Sequence, residues 1–575
     1  MRILQERRNI LLILFIIIGV FFTRFFLLDR IGISIGGDEL EYIINAKFLL
    51  YTGTDITDSI SIFSPFIFIY PKGILPQAEL GYLFQYIMLY FVDATFFNVR
   101  VGYALISSAT VGLMYFLGKN LFHKNVGVIA ALITLINPWM VTIGRTSYEM
   151  TLAMFFYMLL FYLLLILKGW RMLFTIPIIF LAFYSYIGTK IIVLPFIALI
   201  LGYIYFVGKR RNENKQFVII ILSSCILVGF FAFSQFFLQS GSRVTEILTP
   251  FSQSVTNEVN SARQSTISSP FDSLLINKFT IYARILLDKI VNIFSLSFLF
   301  YNGDSFFGLY KSGLFYIIDS VFLIIGIGFL FIKKRKLAVF LFFLLAIAII
   351  PEIIHVNKGV FSPHITLLIP FFILIISVGI HAVYKQRLIY KFLIIFVYFI
   401  SFTYFYQLYF FTAPLTNVYD TESRVLSKYI KLSTNEGNLI KVFSPRPHDL
   451  FRKYIFYANY LQKSSVQTIR ESISNEIYAI EKVSFLECHD IVKYLKSKDT
   501  LIQSSLCAYD MDMYPDNIIA QMKDSGKTYS IFNEKICIDK SENRYYFSLT
   551  FSDLNIENMN KNEFCKSHVL IAQEL

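Results

Sequence analysis

Long apolar runs separated by short polar connections dominate the chain. Runs long enough, or nearly long enough, to cross a hydrocarbon layer fall at residues 10–28, 101–117, 126–141, 151–167, 172–186, 191–207, 217–237, 314–332, 337–354, 365–383 and 392–411. They predict a polytopic α-helical membrane protein with about eleven transmembrane helices. Two further segments do not fit the alternation. Residues 80–92 are apolar but short, and 279–300 carry Arg284, Asp288 and Lys289 at near-helical spacing. Both read as helices lying in the outer interface. From about residue 415 the composition turns polar and mixed, with strand-like runs at 439–443 and 545–551 and helical patterns between them. A C-terminal α/β or α+β domain follows from that change. The expected division is a transmembrane domain over 1–414, with outer loops 29–100 and 238–313, and a soluble domain over 415–575.

The connections alternate in charge. Arg7 and Arg8, Lys119 and Lys124, Lys168 and Arg171, the basic group at 209–215, Lys333 to Lys336, and Lys385 with Arg387 and Lys391 fall in every second one. By the positive-inside rule those connections are cytoplasmic. The N-terminus is then inside, and an odd number of spans sends the tail outside. No small-x-small cleavage site follows the first apolar run, so it reads as an uncleaved anchor.

Composition supports the same class. The 575 residues are 56% hydrophobic and only 16% charged, with a mean hydropathy of +0.60, far too apolar for an ordinary soluble enzyme. The net charge of +13 is spread over short clusters between spans, which argues against a nucleic-acid partner and for topology. The absence of any Asn-x-Ser/Thr sequence favours a prokaryotic chain, placed in the plasma membrane. Cys488, Cys507, Cys537 and Cys565 all lie in the tail, where an oxidising compartment permits two disulfides. Three connectivities exist; proximity favours Cys488 with Cys507 and Cys537 with Cys565. Their spacing fits no zinc motif.

Candidate chemistry starts at the acidic pair Asp38-Glu39, immediately after the first apolar run. The stretch from Gly37-Asp38-Glu39 through Tyr42, Asn45 and Ala46, together with Gly144-Arg145-Thr146-Ser147-Tyr148-Glu149 at the start of the fourth run, resembles the GT-C superfamily of integral membrane glycosyltransferases. The resemblance is to its protein O-mannosyltransferase and lipid A aminoarabinose-transferase branch, and it covers the membrane part to about residue 411. It implies a GT-C-like fold and transfer of a sugar from a polyprenyl-phosphate donor to an envelope glycan, lipid or protein acceptor at the outer face. An attacking hydroxyl must lose a proton, so the family's acidic-loop role carries to Asp38 as general base, with Glu39 as second acid, orienting group or metal ligand. The leaving phosphate needs charge stabilisation. Arg145, Lys190, Arg243, Lys358 and His364 are the outer cations assigned to it, and the family often has a basic residue where His364 stands. Glu149 is a second active-site carboxylate in that reading, although Thr146 to Glu149 also fits a capping box opening the fourth helix.

No cofactor is assigned. A divalent metal is left open because branches of the family differ in metal use; His355, His364 and Glu352 are too loosely spaced for a zinc motif. No P-loop or Gly-rich nucleotide loop stands out, which favours a lipid-linked donor. Arg24 and Asp319 sit near the outer ends of their runs, where snorkelling accounts for them. Two rival classes remain. A transporter or flippase would place charges mid-membrane in broken helices and show an internal repeat, which this chain lacks. An oligosaccharide ligase or polymerase shares the large outer loop.

Overall fold

The structure, a computed structural model, describes residues 2–31, 35–62, 64, 79–237, 253–267, 271–304, 307, 312–355, 359–413, 421–504, 506–507, 519–524, 527–537, 544–547, 556 and 558–571. Every apolar run predicted from the sequence is helical. Among the described residues, five helices are long and apolar enough to cross a membrane: Asn98–Leu121, Ile187–Phe206, Asn214–Ser234, Arg335–Ile354 and Leu388–Thr412. Shorter apolar helices occupy Ile10–Phe25, Lys124–Ile136, Met150–Ile166, Gly169–Ser185 and Leu368–Tyr384, and Ile317–Lys333 fills the remaining run. The two expected interfacial segments are the helices Glu79–Tyr90 and Lys278–Ile293.

The chain separates into two compact units. The first, Met1–Phe26, Phe63–Gly81 and Tyr103–Phe405, is a helical bundle. At its centre Ile317–Lys333 packs against Leu368–Tyr384 with almost no side chain between the backbones. A Cβ added at Gly326 would sit 2.1 Å from the carbonyl oxygen of Ile375, and one at Gly379 would sit 2.0 Å from that of Phe322. Small residues at both crossings let the backbones approach and gain dispersion contacts, which drive helix association where the surroundings are themselves apolar.

A helix break in this unit explains a buried arginine. Pro138 has no N–H, so the carbonyl of Thr134 loses its donor four residues on. Arg24 supplies the missing donors, with Nη2 3.2 Å from the Thr134 oxygen and Nη1 3.4 Å from that of Leu135. Its Nε donates to Ser107 Oγ at 2.9 Å. Tyr316 Oη donates to the Ile136 carbonyl at 2.5 Å, and Asn137 caps the next helix, Pro138–Ile143, by accepting from Met140 N at 3.0 Å. Arg24 is therefore buried against a helix C-terminus rather than snorkelling, because the broken helix offers it carbonyls and a favourable dipole. Asp319 corrects the same expectation. It is fully buried, caps its own helix through Tyr316 N at 2.9 Å and accepts from Tyr398 Oη at 2.5 Å.

The second unit joins Leu27–Ile62 and Tyr82–Gly102 to Tyr406–Leu575. Its described strands are β1 (Ile440–Phe443), β2 (Ala479–Ile480), β3 (Val483–Leu486), β4 (Thr500–Ser504), β5 (Ile519–Asp524), β6 (Lys527–Phe532), β7 (Arg544–Phe547) and β8 (Val569–Ile571). They form one mixed sheet in the order β2-β3-β1-β4-β6-β5-β7-β8. β1 runs parallel to β3 and β4, while β6 is antiparallel to β4 and β5. Disulfides join Cys488 to Cys507 and Cys537 to Cys565.

These units differ from a division at residue 414. The apolar faces of the helices Thr421–Asn435 and Pro447–Tyr457 need covering. Ile43, Ile44, Phe48, Leu89 and Val99, all from the expected first loop, share one core with Val425, Ile430, Phe451 and Phe485. Half of that loop is thus part of the same hydrophobic core as the tail.

Candidate functional site

The acidic turn opens the helix Asp38–Thr52. Gly37 precedes it at φ 52°, a left-handed conformation that suits glycine, and carboxylates in a first helical turn are favoured by the dipole. The pair divides by environment. Asp38 is exposed, whereas Glu39 is fully buried. Glu39 accepts from Arg100 Nε at 3.3 Å and Nη2 at 3.4 Å. The Arg100 guanidinium lies over the Phe96 ring at 4.1 Å, and Arg424 approaches the same ring at 4.9 Å.

The rest of the motif is structural. Glu41 pairs with Arg452; burial pushes its carboxyl above the ordinary glutamate range, and the arginine pulls it part of the way back. Asn45 accepts from Ile56 N at 3.2 Å. Lys47 donates to the carbonyls of Leu89 at 3.1 Å and Val92 at 2.9 Å, holding the end of the helix Glu79–Tyr90 near its own.

In the helical unit, Arg145 is fully buried and Glu149 nearly so. The capping box expected there does not form. Thr146 Oγ1 turns back to the Ile143 carbonyl at 2.8 Å, and Glu149 is itself the N-cap of Met150–Ile166 without a side-chain cap bond. From the same turn the Tyr148 ring meets Phe307 at 4.9 Å, Phe307 meets Phe361 at 5.7 Å, and Phe361 meets His364 at 5.0 Å. His364 Nδ1 lies 2.8 Å from Oε2 of the fully buried Glu352, and its ring is 4.5 Å from that of His355.

Two groups fix this cluster. Asp304 accepts from Ser362 N and Oγ, both at 2.6 Å, and from Phe307 N at 3.1 Å. Lys289 donates to the carbonyls of Glu352 and His355. The lysine is buried and its pKa is lowered, first by desolvation. It anchors backbone and does not reach for solvent, although it was expected in an interfacial helix.

Lys190 is paired within the helical unit. Its Nζ is 2.5 Å from Oε1 of Glu79, and both side chains are buried. Phe183, Tyr184 and Phe231 surround the ammonium, so its charge is already matched. Arg243 and Lys358 lie outside the described residues. The structure therefore brings Arg145 and Glu149 together in one turn of the helical unit and links that turn to His364 through aromatic contacts, while Asp38 and Glu39 belong to the other unit. Among the described residues, no group of three or more His, Cys, Asp or Glu side chains is placed to hold a metal ion.

Sequence reasoning passed over Arg100, Glu79 and Asp304. Each lies at or near the edge of an apolar segment, where a lone charge is costly unless paired; that was the available signal, but it names no partner. An apolar groove of about 350 Å³ also runs between the helices Thr175–Ser185 and Asn214–Phe237, lined by Ile179, Phe180, Tyr184, Ile226 and Phe230.

Residues 78–236 match the family model of the dolichyl-phosphate-mannose-protein mannosyltransferases. The fold is similar to that of ArnT from Cupriavidus metallidurans bound to undecaprenyl phosphate, with a TM-score of 0.50 at 10% identity over 91% of this chain and 97% of that one. The chain shares the fold of that membrane protein. The archaeal oligosaccharyltransferase AglB from Archaeoglobus fulgidus, in complex with an inhibitory peptide and a dolichol-phosphate, is similar at a TM-score of 0.45 and 12% identity, over 93% of this chain and 75% of that one. No protein of curated function matches the sequence. The segment matched by the family model contains Arg100, Arg145, Glu149 and Lys190.

Proposed function

We propose that the protein is a membrane glycosyltransferase that takes a sugar from a polyprenyl-phosphate donor and passes it to an envelope glycan, lipid or protein at the outer face. The observation that carries this reading is the division of the acidic pair: Glu39 is locked to Arg100, and Asp38 is left exposed on the first turn of a rigid helix. A base must be held in place yet reach its substrate, and the exposure of Asp38 in a first helical turn supports that role.

In the proposed reaction an acceptor hydroxyl oxygen attacks the anomeric carbon with inversion. A new C–O glycosidic bond forms and the bond from that carbon to the phosphate oxygen breaks. Asp38 takes the hydroxyl proton, and polyprenyl phosphate departs as a monoester anion needing charge stabilisation rather than a proton. His364 and Arg145 are assigned to phosphate recognition. Glu39 is a positioning residue in this scheme. The apolar groove beside Tyr184 has the character that a prenyl chain requires.

The topology that goes with this function has the N-terminus inside, about eleven spans and the disulfide-bonded unit outside, where an oxidising compartment maintains such bonds. Mass spectrometry of lipid-linked sugars and surface glycans, with and without an intact gene, tests the proposal. Accumulation of a monosaccharide phosphate lipid supports it. Accumulation of a diphosphate-linked oligosaccharide supports a ligase instead, and unchanged lipid pools rule out both.

A further inference from the structure

One end of the helical bundle is formed by the turns at 122–123, at Lys334 and at 385–387. The segments 119–124, 333–336 and 385–391 contain many Lys and Arg residues and no Asp or Glu. Orientation in the membrane accounts for the excess of charge. It does not account for what lies among the charges.

The rings of His123 and His381 meet edge-on at 4.2 Å. Lys334 Nζ is 3.4 Å from the Leu121 carbonyl and 5.3 Å from the centre of the Phe122 ring. Burial, and then the nearby charges of Lys334 and Lys385, hold His123 below the ordinary histidine range. Nδ1 of His381 is buried and has no hydrogen-bond partner among the described residues. Two imidazoles packed among ammonium groups without a carboxylate form a site short of negative charge.

The neighbourhood identifies the form that charge takes. Phe331 and Ile332 are exposed at the end of one helix, and Leu388 and Ile389 at the start of another. Phe322 stacks on Tyr398 between these helices. Ile332 and Leu388 each lie about 15 Å along their helix from that contact, so they reach the same level. A soluble anion has no use for such side chains, whereas the first methylenes of a lipid do.

We propose that this end of the bundle binds the headgroup phosphate of an anionic phospholipid. Lys334 and Lys385 supply charge, His123 and His381 donate hydrogen bonds between them, and Ile332 and Leu388 meet the acyl chains. The site is separate from the chemistry assigned to Asp38 and does not depend on it.

Native mass spectrometry of the full-length protein, exchanged into micelles containing phosphatidylglycerol or phosphatidylcholine, tests this. The protein retains phosphatidylglycerol in preference. Lys334→Gln with Lys385→Gln weakens retention by about fivefold per lysine, His381→Ala weakens it further, and Arg263→Gln, in the separate helix Gln253–Gln264, leaves it unchanged. A thermal transition recorded on each variant confirms that it is folded; if the double lysine variant is not, Lys385→Gln with His123→Gln replaces it. Equal retention of the two lipids, or retention unaffected by the substitutions, overturns the proposal. So does inorganic phosphate binding that these lysines control without lipid selectivity.

Discussion

Glu39 and Arg100, separated by 61 positions, form an ion pair in which both side chains are completely buried. Glu39→Gln removes a charge partner of a fully buried guanidinium, at a cost of about 3–5 kcal/mol. Thermal unfolding of the purified protein should show that loss. The double variant Glu39→Leu with Arg100→Met should recover most of it, since an apolar pair of similar volume avoids desolvating either ion.

Asp38→Asn should behave in the opposite way. At an exposed helix start a carboxylate's dipole interaction is worth about 0.3–1 kcal/mol, and the variant should stay folded in the membrane. Transfer measured with a radiolabelled lipid-linked sugar should fall by about 100-fold or more, the contribution expected of a general base. Near-normal turnover by a folded variant removes Asp38 from the mechanism.

The helical runs were legible because a long apolar stretch constrains both period and environment. Breaks and close approaches were not. The run 126–141 reads as one span although Pro138 breaks it, and nothing in the sequence says that Arg24 fills the freed carbonyls from more than a hundred residues away. The acidic pair was legible as a motif, yet its buried member is held by Arg100, which no sequence motif singles out. The pairing of Lys190 with Glu79 was likewise not legible. Long-range pairing of charges is the part of the fold that hydrophobic periodicity does not encode.

Gly379→Ala should disrupt the bundle more than an exposed glycine substitution would. Its Cβ meets the Phe322 carbonyl at 2.0 Å, and backbone on both sides has no free rotamer by which to yield. Detergent-solubilised protein should unfold at lower temperature, while Gly112→Ala, which meets nothing within 4 Å, should match or exceed the parent.

Removing the disulfide between Cys488 and Cys507 as a double serine variant closes no loop in the unfolded chain. For a separation of 19 residues the expected loss is about 3 kcal/mol. Denaturant unfolding followed by fluorescence should report it, and reduction of the parent should reproduce at least that shift.

Glu41 gives the second unit a defined pH response. Its folded carboxyl is raised above the model-peptide value of 4.5, so the folded state binds more protons than the unfolded one in the interval above that value. Its contribution to stability is complete below the ordinary glutamate range and is lost as pH rises through its folded pKa. The difference in thermal midpoint between the parent and Glu41→Gln should therefore shift against the parent from about pH 4 towards neutrality. A pH-independent difference would mean that Arg452 fully offsets the burial.

The Arg24 contacts also constrain how the chain is made. The carbonyls of Thr134 and Leu135 emerge from the ribosome long after the first helix, and their donors reside on that helix. Insertion of the broken helix is then a two-part event. The broken helix gains this set of hydrogen bonds only once the first helix lies beside it.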